Sequence, residues 1–210
     1  MEINLFGLIK FGQKVHMEQL YKSGVIYMNH LSEFVKIEDN ELRGDKHESL
    51  SEIKKITNIE ISHRGRKIGY AETGRLSLWH NELMGNIYSM YTLYNVQRPE
   101  EILIDAKCKD FGDTFIIITN VEEFISRIKK EAAIHSVEVI YGPVEYVNTK
   151  EYLGSWSVFK KPLEYLYQQE FRFFAKKDNS GPFCLTIGSL EDISIMLDSD
   201  SLDKLSFERG

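Results

Sequence analysis

The chain has 210 residues, 42% of them hydrophobic and 28% charged, so its composition excludes disordered and fibrous proteins and predicts a single globular domain spanning 1–210. Two cysteines, and no apolar run near the roughly 20 residues that cross a bilayer, predict a reduced cytoplasmic protein that makes no membrane contact. The formal net charge of -6 argues against a surface that coats nucleic acid along its whole extent, but it allows a local basic patch.

The first half of the chain predicts short strands, one helix and a hairpin. In chain order the predicted elements are a strand at 4–11, a helix at 15–21 that stops at Gly24, a strand at 25–28, a helical turn within 29–34, an exposed or cleft-lining polar loop at 38–51, and a β-hairpin with strands at 56–62 and 67–71. Arg64, Arg66 and Lys67 lie at the tip of this hairpin near Tyr70. A basic tip of this kind can bind nucleic acid, or it can serve only to keep the strand edge soluble.

The second half predicts further strands and one long helix. In chain order the predicted elements are strands at 87–94, 102–106 and 115–119, a helix at 121–133, a strand at 137–141, a short helix opened by Pro162, and antiparallel strands at 167–175 and 183–187. Asn120 is a suitable N-cap for the long helix, and Glu123 occupies the reciprocal capping position. Phe124, Ile125 and Ile128 form one apolar face of that helix. Many strands, few helices and no strict βαβ alternation predict an α+β fold.

Three polar residues near position 170 are the first candidates for chemistry. In the predicted strand, Gln168, Glu170 and Arg172 share one face, and apolar residues occupy the other. On this spacing the guanidinium of Arg172 could hold the Glu170 carboxylate ionised. A solvent-facing ladder of polar side chains explains the same pattern, so both interpretations stay open.

A second polar cluster lies in the loop before the hairpin. Asp45 and Glu48 flank His47 and could bind a metal, and Arg43 beside a glycine could approach a phosphate or a carboxylate. The spacing matches no known calcium or zinc site, and a solvated charged loop explains the same residues.

Other catalytic signatures are weak or missing in the sequence. The six histidines are too dispersed for zinc spacing, and no G-x-S-x-G, Walker A or G-x-G-x-x-G motif occurs. Cys108 lies between two lysines that could lower the pKa of its thiol, although an exposed cysteine at the end of a strand explains the same position. Tyr88 and Met90 share a strand face and predict core packing, whereas the other aromatics of this segment could stack on a nicotinamide or a base.

Taken together, these motifs resemble a bacterial group at the edge of the ADP-ribosyltransferase superfamily. The segments that carry the resemblance are, in order, 8–11 with 24–34, 38–48 with 86–91 downstream, and 168–172. The last segment is similar to the late E-x-R strand that holds the catalytic glutamate of these transferases.

The resemblance implies a split, mostly antiparallel sheet around an NAD-binding cleft, with a few flanking helices. It implies that Glu170 is the catalytic carboxylate and that Gln168 contacts the acceptor. The implied contacts to NAD are Lys10 at the adenosine ribose or diphosphate, Arg43 at a phosphate, Asp45 in the same segment, Arg172 at Glu170 or a phosphate, and Phe34 or Tyr91 stacked on the nicotinamide.

The function that follows is NAD-dependent mono-ADP-ribosyl transfer to a protein or nucleic-acid acceptor, as in a toxin or a phage-defence effector. NAD is the substrate, no metal is expected, and the basic surface at Arg64, Arg66 and Lys67 is the candidate contact for the acceptor. One alternative is a non-catalytic interaction protein, such as an inhibitor or adaptor. Another is a nucleic-acid-processing enzyme that uses Asp45, His47 and Glu48 with a divalent metal.

Overall fold

In the described part of the chain, a sheet of eight strands forms the frame of the fold. The structure is a computed structural model, and it describes residues 5–36, 46–80, 84–94, 104–177 and 181–207. The α-helices of these segments are α1 Lys14–Ser23, α2 Leu31–Lys36 and α3 Val121–Ile134. The strands are β1 Leu5–Gly12, β2 Val25–His30, β3 Leu50–His63, β4 Arg66–Trp79, β5 Asn86–Tyr94, β6 Thr114–Ile118, β7 Glu138–Pro143, β8 Glu145–Val147, β9 Gly154–Ser155, β10 Lys160–Pro162, β11 Glu170–Lys176, β12 Phe183–Thr186 and β13 Ser194–Asp198. Short 3-10 helices lie at Lys46–Ser49, Ala106–Phe111, Leu163–Gln168 and Ser199–Lys204.

Strand β5 is the point at which the sheet divides. One edge of β5 pairs with β11, which pairs in turn with β7. The other edge serves two partners, because residues 86–87 pair with β2 and residues 91–94 pair with β1. The sheet therefore splits into a short branch of β2 and β12 and a longer branch of β1, β6 and β13, with every pairing antiparallel.

This architecture confirms the predicted α+β class and the predominance of antiparallel pairing. Among the described strands, only β8 and β10 pair in parallel. The strand predicted at 102–106 is wrong in its described part, because residues 104–105 are irregular and Ala106 begins a 3-10 helix. No helix in the described segments is both long and apolar enough to cross a membrane.

The helix boundaries follow the local signals that predict them. Gly24 ends α1 with a φ of 64°, and its N–H donates to the Leu20 carbonyl at 2.8 Å. Asn120 caps α3, because its Oδ1 accepts from the Glu123 N–H at 3.1 Å. The reciprocal cap is wrong, since the Glu123 carboxylate accepts instead from Arg127 Nε at 2.7 Å.

The two faces of the sheet carry two different cores. On the first face, α1 and α3 cover a large apolar cluster that includes Phe171 and Phe173. On the second face, Tyr91 packs in a smaller cluster with Cys108 from a 3-10 helix. Because side chains alternate along a strand and Glu170 pairs with Tyr91, Glu170 and Arg172 lie on the second face.

Strands β3 and β4 form a long hairpin, residues 50–79, which we call the arm. Each strand has 14 residues, and at roughly 3.3 Å per residue the arm is about 45 Å long. The predicted hairpin is thus confirmed at its tip and extends well beyond the predicted strands at its base. The two tip residues, Arg64 and Gly65, have φ values of 49° and 78°, as a type I′ turn requires. At the base, β9 pairs with Glu52 and Ile53.

Candidate functional site

Glu170 lies at the centre of a buried network of charged side chains. Its Oε1 accepts from Lys161 Nζ at 2.6 Å, and its Oε2 accepts from Arg172 Nε at 2.7 Å. The two terminal nitrogens of Arg172 donate to the two carboxylate oxygens of Glu48 at 2.6 and 3.1 Å. All four residues are at most 7% exposed. Two carboxylates and two cations therefore form a neutral cluster inside the protein.

The backbone turn before β11 gives this network its geometry. The strand begins at Glu170, three residues later than predicted, because residues 163–168 form a 3-10 helix and Gln169 is left-handed with a φ of 36°. Gln168 therefore does not share a strand face with Glu170, which corrects the predicted arrangement. Its Oε1 nevertheless accepts from Lys161 Nζ at 2.6 Å, so the ammonium of Lys161 joins Gln168 to Glu170.

Two neighbouring segments close the network from outside the sheet. The Glu170 N–H donates to the hydroxyl of Tyr146 on β8 at 2.8 Å. Arg172 Nη1 also donates to the Val158 carbonyl at 2.5 Å. Strand β10 pairs with β8 so that Lys161 is opposite Tyr146. These contacts place a covering layer over the second face, and the interpretation of residues 168–172 as a solvent-facing ladder is wrong.

The network keeps Glu170 ionised. Burial raises the pKa of Glu170, but the positive charges of Arg172 and Lys161 outweigh it and hold that pKa below its ordinary value. Burial lowers the pKa of Arg172, whereas the carboxylates of Glu170 and Glu48 raise it above its ordinary value by a larger amount. The predicted effect of Arg172 on Glu170 is therefore confirmed, with Lys161 as a second cation.

A cleft of about 330 Å³ lies beside the network. Its lining residues are Leu31, Glu48, Leu50, His80, Met84, Ser157, Val158 and Phe174. Glu48 and Val158 belong to both the cleft and the network, because both accept hydrogen bonds from Arg172. Glu170 is not among the lining residues, and Arg172 connects it to Glu48, which is.

The structure does not bring Lys10 into this site. Lys10 follows Ile9, which pairs with Tyr91, so its side chain points to the face of the sheet opposite Glu170. There Lys10 Nζ donates to the Ser89 carbonyl at 2.7 Å and lies 4.3 Å from the centre of the Tyr88 ring. Lys10 and Glu170 are thus separated by the sheet itself.

The remaining predicted contacts fall in different places. Tyr91 shares the face of Glu170, but its ring is buried, and burial raises the pKa of its hydroxyl above the ordinary value. Phe34 is half-buried on α2, the helix that starts at the cleft residue Leu31. Arg43 and Asp45 lie outside the described residues.

Two other candidate centres have ordinary surroundings. Cys108 is neither exposed nor activated, because burial, together with the negative charges of Asp105 and Asp110, raises its pKa to about 12. His47 packs between Trp79 and Trp156, with ring centres 6.5 and 5.6 Å away. Within the described segments, no three His, Cys, Asp or Glu side chains are grouped to hold a metal ion.

The sequence alone missed Lys161 and Trp79. Lys161 lies in a strand of three residues, too short to show an alternating pattern. Trp79 ends the arm next to the cleft residue His80, is 48% exposed and stacks on His47. Trp79 is not itself a lining residue; the aromatic residue that lines the cleft is Phe174, which is half-buried.

Comparison of the chain with family models, with curated proteins and with solved structures gives no match. The resemblance to ADP-ribosyltransferases therefore stays a prediction.

Proposed function

We propose that the protein is an NAD-dependent ADP-ribosyltransferase-like enzyme in which Glu170 is the catalytic carboxylate. The observation that carries the proposal is the buried network that holds Glu170 ionised beside a cleft. Buried ion pairs often add no stability relative to apolar side chains of similar volume, because removing charges from water is costly. Charged groups with shifted pKa values next to a cleft therefore favour a functional role.

An ionised carboxylate suits the chemistry of this reaction. The bond between the ribose and nicotinamide breaks with the electron pair leaving on nicotinamide, and the ribose acquires oxocarbenium character. A carboxylate that binds the ribose 2-hydroxyl stabilises that charge as it develops. Lys161 and Arg172 each use one lone pair of Glu170, and a carboxylate has about four, so Glu170 retains acceptor capacity for a hydroxyl.

The size of the cleft limits which part of NAD it would take. A volume of about 330 Å³ is at the lower end of the range of ligand pockets, which suits nicotinamide and its ribose better than a whole dinucleotide. Phe174 lines the cleft, and Trp79, the neighbour in sequence of the lining residue His80, is 48% exposed, so both rings are candidates for stacking. In this proposal Arg172, Lys161 and Gln168 are positioning residues that fix Glu170, and Lys10 has no part in the site.

Nicotinamide release and transfer of labelled ADP-ribose, compared between wild type and Glu170→Gln, test the proposal. Glu170→Gln should lower both rates by at least about 100-fold, because it removes a charge that stabilises the transition state. Its affinity for NAD, measured by calorimetry, should stay close to that of the wild type. Glu164→Gln, an exposed carboxylate on the preceding 3-10 helix, is the matched control and should retain full activity.

Equal rates for wild type and Glu170→Gln would overturn the proposal, and so would a wild type that neither binds nor cleaves NAD. Circular dichroism of each variant separates loss of chemistry from loss of fold.

A second candidate is a non-catalytic interaction protein built on the same scaffold. The observation that favours it is that Glu170 is only 7% exposed and both of its oxygens already bind cations. This candidate predicts no NAD binding by the wild type, a Glu170→Gln variant that loses stability only, and a surface patch whose mutation abolishes binding to a partner.

A further inference from the structure

The arm carries positive charge that no carboxylate of the described residues neutralises. Residues 50–79 contain six basic and three acidic residues, whereas the whole chain has 26 basic and 32 acidic residues. Two of the acids are paired within the arm, Glu52 with Lys54 at 2.8 Å and Glu60 with Lys67 at 2.9 Å. The positive excess therefore lies on the other bases.

Three of those bases are exposed and pair with no acid in the described segments. Lys55, Arg64 and Arg66 have no carboxylate partner among the described residues. Arg75, in contrast, is held at the base of the arm, where its guanidinium donates to three backbone carbonyls of residues 149–152 at 2.6 to 2.8 Å. Two unpaired cations thus lie at the tip and one lies lower on β3.

The pairing of the two strands places one pair of like charges opposite each other. Lys55 is directly across from Arg75. Like charges at directly opposed positions destabilise a strand pair. The stability of the hairpin therefore does not explain this arrangement, whereas an external anion would.

Two isoleucines of the arm pack against glycines of the opposite strand. A Cβ added to Gly74 would lie 2.6 Å from Ile59 Cδ1, and one added to Gly69 would lie 3.5 Å from Ile61 Cδ1, so each isoleucine covers the space left by a glycine across the ladder. Several apolar and aromatic side chains of the arm are nevertheless 41 to 65% exposed, namely Ile61, Ile68, Tyr70, Leu76 and Trp79. Protein interfaces are depleted of charge at their core, whereas sites for nucleic acid combine exposed rings with cations, so the excess of bases on the arm favours nucleic acid.

The shape of the arm also fits a polyanion. A two-stranded ribbon is narrow enough to enter the major groove of duplex DNA, about 12 Å wide, where backbone phosphates flank it on both sides. A tip with two arginines would reach phosphates, and Ile68 could contact a base edge or a sugar.

We propose that the arm is a nucleic-acid-binding element, with Lys55, Arg64 and Arg66 as phosphate contacts. Binding by the arm does not depend on Glu170 or on NAD, so this inference and the proposed function fail independently. An acidic protein and a second copy of the chain are the competing occupants that the test must exclude.

The test compares the wild type with a variant that removes the three unpaired charges, Lys55→Gln, Arg64→Asn and Arg66→Gln. Asn at position 64 keeps the tip folded, because Asn-Gly is the preferred pair for a type I′ turn. A control variant removes the same number of charges at exposed helix lysines, Lys14→Gln, Lys129→Gln and Lys130→Gln. Fluorescence anisotropy measures binding to labelled duplex DNA, single-stranded DNA and single-stranded RNA of about 20 nucleotides per strand across a salt series, with polyglutamate as the acidic-protein probe.

The arm variant should bind each nucleic acid at least about tenfold more weakly than the wild type. The slope of log K against log salt should also be smaller by about 2 to 3, because each of the three lost phosphate contacts contributes roughly 0.7 to 0.9 to that slope. The control variant and Glu170→Gln should bind like the wild type, and the tightest of the three nucleic acids identifies the form that the arm prefers. Several results would overturn the inference: no binding to any nucleic acid at about 50 mM salt, an equal loss in the control variant, tighter binding to polyglutamate, or an arm-dependent dimer in sedimentation without nucleic-acid binding.

Discussion

Replacing Arg172 with methionine gives a direct test of the buried network. Arg172 makes four hydrogen bonds, one to Glu170, two to Glu48 and one to the Val158 carbonyl. Removing one partner of a buried ion pair costs about 3 to 5 kcal/mol, because the other charge stays buried without compensation. For a protein of this length, that loss corresponds to a decrease in Tm of roughly 6 to 20 °C.

Urea unfolding at pH 7, followed by tryptophan fluorescence and circular dichroism, measures this loss. Arg127→Met is the matched control, because Arg127 also bridges two carboxylates, Glu123 and Asp192, but at the protein surface. Each surface ion pair contributes about 0 to 1 kcal/mol, so the loss of two pairs in the control should cost no more than about 2 kcal/mol. A loss for Arg172→Met that does not exceed the control would refute the argument that the network is a set of desolvated pairs.

The pH dependence of that loss has a definite sign. In the wild type the pKa of Glu170 is below its ordinary value, so its stabilisation is present above the unfolded pKa of about 4.3 and is lost only as the pH falls through the lower folded pKa. In the variant, Glu170 keeps Lys161 but loses Arg172, and Glu48 loses the same guanidinium. Each buried carboxylate then binds a proton more readily in the folded state, and one whose folded pKa exceeds its unfolded pKa makes stability rise on acidification by up to about 1.4 kcal/mol per pH unit. The difference between the two proteins should therefore shrink from pH 7 to pH 5. An unchanged difference would mean that lost packing, and not unpaired charge, causes the destabilisation.

Three further predictions concern single positions. Asn120→Ala removes the side-chain acceptor at the start of α3 and should lower the free energy of unfolding by about 1 kcal/mol in urea, whereas Asn120→Asp should retain it. Gly24→Ala places a Cβ 2.0 Å from the Gly188 carbonyl oxygen at a φ of 64°. A left-handed alanine alone costs about 1 to 2 kcal/mol, so with this clash the free energy of unfolding should fall by more than that amount. A smaller shift in the urea midpoint would show that the backbone relaxes. A thiol reagent should modify exposed Cys184 alone in the folded protein at pH 8 and at pH 9, because Cys108 is buried with a pKa of about 12; rapid modification of two thiols would contradict this.

The parts of the fold that local sequence predicts are those with local causes. The N-cap of α3, the left-handed Gly24 and the turn at the arm tip each depend on a few adjacent residues, and all three are confirmed. Strand β13 and the short strands β8 to β10 were not predicted. Strands β8 to β10 have only two or three residues and therefore no measurable period. Each of these strands, and the longer β13, is fixed by pairing with another segment of the chain.

The same distinction between local and distant causes applies to the candidate site. The spacing of Glu170 and Arg172 within one strand predicts that they interact, and they do. Spacing cannot supply Glu48, which is 124 residues from Arg172 in sequence, nor the covering layer of β8 and β10 that turns a polar strand face into a buried one. Alternation along a strand indicates which side chains share a face, whereas burial depends on what the rest of the chain places over that face.

The net charge of -6 suggests that the protein repels anions, but it has little effect on an anion that binds at the tip of the arm. Arg172 and Lys161 are matched with carboxylates at contact distance, so they contribute little field outside the protein. From Ile56 to His63 the arm extends about 25 Å at roughly 3.3 Å per residue, whereas the Debye length at 0.1 M salt is about 10 Å. The acidic body is therefore largely screened from an anion at the tip, and the local charges of Arg64 and Arg66 determine the potential that such an anion meets.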